Sequence, residues 1–214
     1  MDMNRRMWTL ALATGLSAAS WLTPAAAYAA DEAPDALVKR LSADILATIK
    51  ADPALRDGDI GKINAVVNEK VMPYVNFRRM TSAAVGPSWR KASESQRERL
   101  QQEFKALLIR TYSGALSQVR DQTITVKPLR AAEGDTDVLV RTEVHGKGDP
   151  VQLDFRLEKD AGGWKIYNLN VLGVWLVETY RSQFAEEINK GGLDGLIQAL
   201  ASRSSMPANV PAKN

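Results

Sequence analysis

Val151, Leu153, Phe155 and Leu157 alternate with Gln152, Asp154, Arg156 and Glu158 without exception. A period of two puts every apolar side chain of such a run on one face of a strand. Ile124 and Val126 alternate with Thr125 and Lys127, and Val138, Val140, Thr142 and Val144 alternate with Leu139, Arg141, Glu143 and His145. A fourth run extends from Trp164 to Val171, and residues 146–150 and 160–163 are turn-forming segments between the runs. The spacing predicts a four-stranded antiparallel meander with one apolar face. That face must be covered, and the flanking sequence supplies helices to cover it.

Upstream the period is helical. Asp35 is placed to cap a helix reaching about Lys50, with Val38, Leu41, Ile45, Leu46 and Ile49 on one face. Asp59 starts a second helix with Ile60, Ile63, Val66 and Val67 inward, and Pro73 stops it. Asn76 caps a short third helix carrying Phe77, Met80 and Ala84, closed by Gly86-Pro87. Ser93 and Gln96 form a capping box that opens the longest helix, which the pattern carries to about Val119. Leu100, Phe104, Leu107, Leu108, Tyr112, Leu116 and Val119 read as one apolar stripe along it. After the strands, Val174 to about Asn189 places Val177, Tyr180, Phe184 and Ile188 on one side. Gly191-Gly192 interrupts, and a last helix runs from Leu193 to Ala201. Helices, a sheet, then helices make an α+β fold.

Residues 1–29 read as an address. Arg5 and Arg6 form a basic start, Met7 to Leu22 is uncharged, Pro24 breaks the run, and Ala27-Tyr28-Ala29 fits a cleavage site, with a cut after Ala27 as the near alternative. The Arg5-Arg6 pair suits an ordinary secretory start and also a twin-arginine signal. The run falls short of the ~18–20 residues that span a bilayer. The expected organisation is a signal peptide at 1–29, one domain at 30–203 and a polar tail at 204–214, in an exported, periplasmic, monomeric protein.

Candidate chemistry is sparse. The chain of 214 residues has no Cys and one His, so it offers no thiol nucleophile, disulfide framework or two-imidazole metal site. A formal charge of +3 gives no argument for nucleic acid. There is no P-loop, G-x-S-x-G or metal-spaced carboxylate cluster. His145 falls on the polar face of its strand, and the inward positions are Val, Leu and Phe. An acid–base enzyme on such a sheet would need a carboxylate or imidazole at the cavity floor. No catalytic residue, metal or cofactor is expected.

Two blocks carry a family likeness. The first is VMPYVNFRRM at 71–80, leading to VGPSWRKASESQR at 85–97 and FKALLIRTYSGAL at 104–116; the second is LGVWLVETYRSQF at 172–184, followed by GGLDGLIQAL at 191–200. Their order and spacing resemble the MlaC, or toluene-tolerance, family of periplasmic phospholipid-binding proteins, from about residue 35 to 202. The resemblance implies an NTF2-like α+β fold with additional N- and C-terminal helices. It implies an apolar pocket between sheet and helices for acyl tails, with phospholipid as cargo. It also implies exchange with an outer-membrane lipoprotein–porin complex and with an inner-membrane complex of an MCE-domain protein and an ABC ATPase.

A pocket in that place would be lined by Val75, Met80, Phe104, Leu108, Tyr112, Val140, Leu153, Phe155, Ile166, Leu169, Val171, Val174, Leu176 and Tyr180. Arg78, Arg79, Arg90 and Lys91, with Arg97 and Arg99 beyond them, form a basic stretch that could steer the protein to anionic headgroups or an acidic partner; Arg181 is a further candidate. Two positions depart from the family pattern. Asn76 stands where Asp is frequent, an exchange expected to leave the helix cap intact. Trp175 stands where Ser is frequent, a change that could narrow the pocket or favour another lipid. Two other functions fit the residues: a carrier of a different apolar lipid such as a hopanoid, and an NTF2-like isomerase-type enzyme.

Overall fold

The computed structural model describes residues 32–205 apart from 117 and 133, so the expected signal peptide and residues 206–214 lie outside the described residues. Helix α1 (Pro34–Ala51) starts one residue before the expected cap. Ala33 sits at the N-cap with no side-chain bond, Pro34 takes a first-turn position where its missing N–H costs nothing, and Asp35 complements the helix dipole. Helix α2 (Pro53–Arg56) is a single turn capped by Asp52. Helix α3 (Ile60–Val66) begins at Asp59, whose carboxylate accepts from the Lys62 N–H, and runs on through a π-helical turn (Val67–Val71) into a 3-10 turn (Met72–Tyr74).

Helix α4 (Phe77–Val85) is capped by Asn76 and closed by Gly86 at φ 71°, a conformation that favours glycine. A 3-10 segment (Gly86–Lys91) leads to α5 (Glu94–Leu116). The capping box is reciprocal: Ser93 Oγ accepts from the Gln96 N–H at 3.2 Å, and Gln96 Oε1 accepts from the Ser93 N–H at 3.0 Å. The helix ends at Leu116, short of the expected Val119. Helix α6 (Leu176–Ser205) is broken at Gly191 and Gly192, where the backbone leaves helical angles. It continues past the point at which the polar composition suggested a tail. Ser204 donates to Glu103 on α5 at 2.9 Å and Arg203 pairs with Glu187 at 3.2 Å, so side-chain contacts hold the last turn.

The strands are β1 (Thr123–Val126), β2 (Asp137–Val140), β3 (Thr142–His145), β4 (Val151–Asp160), β5 (Gly163–Val171) and β6 (Val174–Trp175). They form one antiparallel sheet in the order β1-β3-β4-β5-β6, with β2 also on β4. The four-run meander is therefore present, with two refinements. The expected strand 138–145 is bent at Arg141 into β2 and β3, yet both halves keep one register against β4: Val140 faces Phe155 and Glu143 faces Gln152. At the bend side chains replace the ladder, since the Thr142 N–H donates to Asp154 Oδ1 at 3.2 Å and its hydroxyl donates to the Leu153 carbonyl. The second refinement is β6, two residues that return along β5.

The register between β4 and β5 shifts by one between Arg156 and Leu157: Arg156 faces Asn168 and Leu157 faces Ile166, so Tyr167 is the extra residue of a bulge on β5. Bulges bend a sheet and increase its twist, and this one makes the apolar face concave. The segment before α4 is stitched to the sheet beside that bulge: the Asn76 N–H donates to the Ile166 carbonyl at 2.8 Å, and Val75 bridges Ile166 in parallel. Two seals then close the concave face. Leu37, Val38 and Leu41 of α1 pack on Val138, Val140, Leu157 and Ile166. At the other side α4, α5 and α6 share a core in which the Phe104 ring lies 5.7, 5.0 and 5.1 Å from the rings of Phe77, Tyr180 and Phe184.

Asn76 does more than cap. Its Oδ1 accepts from the Arg79 N–H at 2.9 Å while its Nδ2 donates to Glu158 Oε1 at 2.7 Å. Glu158 also pairs with Arg79, which reaches Asp137 at 3.1 Å and stacks 3.5 Å from the centre of the Tyr167 ring. Aspartate can supply the cap but cannot donate to Glu158. Asn76→Asp is therefore expected to lower stability by about 2 kcal/mol at neutral pH, in the range of a charge-assisted hydrogen bond. The loss should shrink as pH falls through the carboxylate range, because protonating either acid relieves the repulsion. Urea midpoints at pH 7 and pH 4 measure this, and an equal loss at both would contradict it.

Candidate functional site

Between the two seals lies a cavity of about 420 Å³, within the ~300–1,000 Å³ of ordinary ligand pockets. Its floor is the concave sheet face: Ile124, Val144, Leu153, Phe155, Ile166 and Leu169. Its walls come from α1 (Leu41, Ser42, Ile45, Leu46), the α3 region (Ile63, Val67, Val71, Met72, Val75), α4 (Phe77, Met80), α5 (Lys105, Leu108, Ile109, Tyr112, Ser113, Leu116) and Leu176. The α5 positions run from Lys105 to Leu116, about 16 Å along the helix. Half of a bilayer's hydrocarbon core is about 15 Å thick, so the α5 stretch of the wall is about as long as one leaflet's acyl layer.

The lining polar groups are few. Ser113 donates to the Arg110 carbonyl at 3.0 Å, which leaves its hydroxyl occupied. Tyr112 is the one lining residue that is exposed, at 37%, so the cavity reaches solvent beside it. Burial pushes its phenol, and that of Tyr180, above the ordinary range. Lys105 is the single charged residue of the lining. Its stem borders the cavity and its Nζ donates to Asn68 Oδ1 at 2.8 Å. Among the described residues no Asp, Glu or His lines the cavity, and no group of three or more His, Cys, Asp or Glu is arranged to hold a metal ion. The carboxylate or imidazole that an isomerase-type site would need at the floor is not among these side chains.

Of the fourteen side chains expected in the lining, the structure brings together Val75, Met80, Leu108, Tyr112, Leu153, Phe155, Ile166, Leu169 and Leu176. Five lie elsewhere. Phe104 is the centre of the aromatic core and Tyr180 packs beside it. The reason is helical phase: Leu100, Phe104 and Leu107 sit roughly a third of a turn around α5 from Lys105, Leu108, Ile109, Tyr112 and Leu116, so the single expected stripe is two. Val140 is sealed under α1 at 1% exposure, Val171 packs against the α4–α6 core, and Val174 points outward on β6 at 52% exposure. Trp175 does not reach the cavity either; its ring lies 4.3 Å beneath the Arg156 guanidinium. The departure from the family pattern at this position therefore leaves the cavity width untouched.

Residues of α1 and α3 were not anticipated in the lining. Their apolar periodicity was visible, but periodicity assigns a face without saying what it faces. The basic candidates also lie away from the cavity. Arg78 pairs with Glu94 at 2.7 Å, holding that carboxyl below its usual range, and sits 5.7 Å from the Trp89 ring centre. Arg79 belongs to the Glu158–Asp137 cluster at the sheet margin; burial opposes its charge, and the two carboxylates outweigh that. Arg90 and Lys91 are exposed on the 3-10 segment, and the exposed Arg181 lies over Gly86, its Nε 3.6 Å from where a Cβ would stand. Arg78, Arg90, Lys91 and Arg181 thus flank one 3-10 segment, on a surface distinct from the cavity.

Residues 39–202 match the family model described as MlaC protein. The toluene tolerance protein ttg2D of Pseudomonas putida is 26% identical over 191 residues, covering 86% of this chain and 89% of its own. The intermembrane phospholipid transport system binding protein MlaC of Haemophilus influenzae is 24% identical over 182 residues, covering 83% and 85%. Among solved structures, the phospholipid-binding protein of Ralstonia solanacearum, in complex with a phospholipid, superposes with a TM-score of 0.78 at 49% identity. That match covers 82% of this chain and 98% of the solved one.

Seal and wall should respond differently to a buried charge. Val140→Glu puts an unpaired carboxylate under α1 and should cost more than about 3 kcal/mol. Leu153→Glu faces the cavity, where water can follow the charge, and should cost less than half as much while abolishing binding of an apolar fluorescent probe. Equal destabilisation of the two variants in thermal melts would mean that Leu153 belongs to solid core.

Proposed function

The chain belongs to the MlaC family, and on that premise we propose that it is a soluble periplasmic phospholipid carrier that encloses acyl tails in the cavity between sheet and helices. It passes lipid between an outer-membrane lipoprotein–porin complex and an inner-membrane complex of an MCE-domain protein and an ABC ATPase, which maintains the lipid asymmetry of the outer membrane. The observation that carries this reading is the cavity itself: its α5 wall is about as long as one leaflet's tails, and its walls are hydrocarbon apart from two serines, a tyrosine and one lysine at the margin. The nine sequence-derived residues that meet there are its proposed tail contacts. Among the described residues no helix is long and apolar enough to cross a membrane, which fits a protein that moves between membranes.

The energetics follow from the tails. Two acyl chains carry about 30 methylenes, and exposing them to water would cost on the order of 24 kcal/mol. A bilayer hides the same methylenes, so loading from a membrane lies near balance and partners set the direction. The basic surface around Arg78, Arg90, Lys91 and Arg181 is proposed as a docking face for acidic partner surfaces or anionic headgroups, where charge raises the rate of encounter.

Native mass spectrometry of the purified full chain should show an added mass corresponding to a phospholipid. Leu169→Trp, which fills the floor, should keep the fold and lose most of that mass. A sterol-like or hopanoid mass would replace the cargo named here, and wild type that carries and accepts no lipid would overturn the carrier function.

A further inference from the structure

Lys105 is the one charged side chain among the residues that line the cavity. Its neighbours one turn away on α5 are Gln101, Gln102, Leu108 and Ile109, none of them an acid. Arg99, on the same helix, has Glu103 four residues on and pairs with it at 2.9 Å. Among the described residues Lys105 is in no ion pair; its ammonium is held by the Asn68 carboxamide. Asn68 lies on the π-helical turn, whose Val67 and Val71 also line the cavity, and its Nδ2 donates in turn to Asn64 Oδ1 at 3.0 Å. π-turns inside helices are uncommon and recur at functional sites.

These three side chains make a polar group free of acid on the α3–α5 seam, where apolar wall meets solvent. A cation whose stem borders a hydrocarbon cavity is placed to meet a ligand with an apolar body and an anionic end. We infer that Lys105, supported by Asn68 and Asn64, recognises the phosphodiester of the bound lipid. The ammonium exchanges a neutral carboxamide oxygen for a charged phosphate oxygen, and the carboxamides supply further N–H donors. The tails fix the lipid in the cavity; Lys105 selects lipids that carry a phosphate over those that carry none. This assignment presupposes the carrier function proposed above and adds to it a headgroup contact.

Diacylglycerol presents the same tails without the phosphate and separates the two ideas. Wild-type protein exposed to vesicles containing equal phosphatidylglycerol and diacylglycerol, then re-isolated and extracted, should hold the phospholipid in at least about tenfold excess, as a charge-assisted hydrogen bond implies. Lys105→Met keeps the stem and removes the charge. It should keep total lipid close to wild type and lose that preference, and Lys105→Arg should restore most of it. Circular dichroism establishes that each variant is folded. Equal uptake of both lipids by wild type, or an unchanged preference in Lys105→Met, overturns the assignment. If wild type takes up neither lipid, the carrier function itself fails. A final arm uses inorganic phosphate alone: displacement of phosphatidylglycerol by it would make this a site for free phosphate and overturn the headgroup role. No displacement is the expected result.

Discussion

A continuous apolar sheet face that is only partly covered is the constraint on which the rest of the molecule depends. Helix α1 seals one portion through Val138, Val140, Leu157 and Ile166, and the aromatic core around Phe104 closes the other side. The portion between faces a cavity of about 420 Å³. At ~24 cal/mol for each Å³ of apolar cavity, a space of that size is worth on the order of 10 kcal/mol. That is comparable to the whole stability of a domain. The fold and an apolar cargo are therefore energetically coupled, because whatever fills the cavity stabilises the folded chain.

The same coupling explains where polarity is found. A charge inside the cavity would cost several kcal/mol unless paired, and the lining avoids it except at Lys105, whose ammonium reaches the surface and Asn68. The one exposed lining residue, Tyr112, has an aromatic body and a polar hydroxyl. Such a side chain suits a boundary between hydrocarbon and water. Apolar and polar chemistry are thus separated on a single helix: Leu108, Ile109 and Leu116 meet the apolar volume, and the Lys105 ammonium turns to Asn68.

Much of this was legible in the residues. Strict alternation in β4, the reciprocal Ser93–Gln96 box and the Gly191-Gly192 break appear in the structure where the sequence places them, because each is a local effect of backbone geometry or capping. The family likeness in the blocks at 71–116 and 172–200 also agrees with the matched family and the solved relative. Assignment between core and cavity was less legible. On α5 two apolar faces lie so close in phase that Phe104 and Leu108 read as one stripe, although one is packed among three aromatic rings and the other faces open volume. Val140 and Phe155 are register partners on one sheet face, yet α1 covers the first and the second lines the cavity. Which helix lies over which stretch of sheet is a long-range fact, and periodicity does not encode it.

A sheet with a cavity on one face cannot rely on packing there for its rigidity, and the opposite face supplies it by hydrogen bonds. Asn168, Asn170 and Asp154 are buried at 1%, 4% and 3% exposure on strands whose other face lines the cavity. Asn168 Oδ1 accepts from the Val177 N–H at 3.2 Å and its Nδ2 donates to Glu178 at 2.8 Å, which fixes the corner from β5 into α6. Asn170 Oδ1 accepts from the Gly173 N–H at 2.9 Å and holds the turn into β6. Asp154 accepts from the Thr142 N–H at the bend between β2 and β3. Satisfied buried polar groups specify one geometry more sharply than apolar contacts do. Each of these sits where the strands bend or end, so the curvature that makes room for the cavity is set from the far side of the sheet and does not depend on what occupies it.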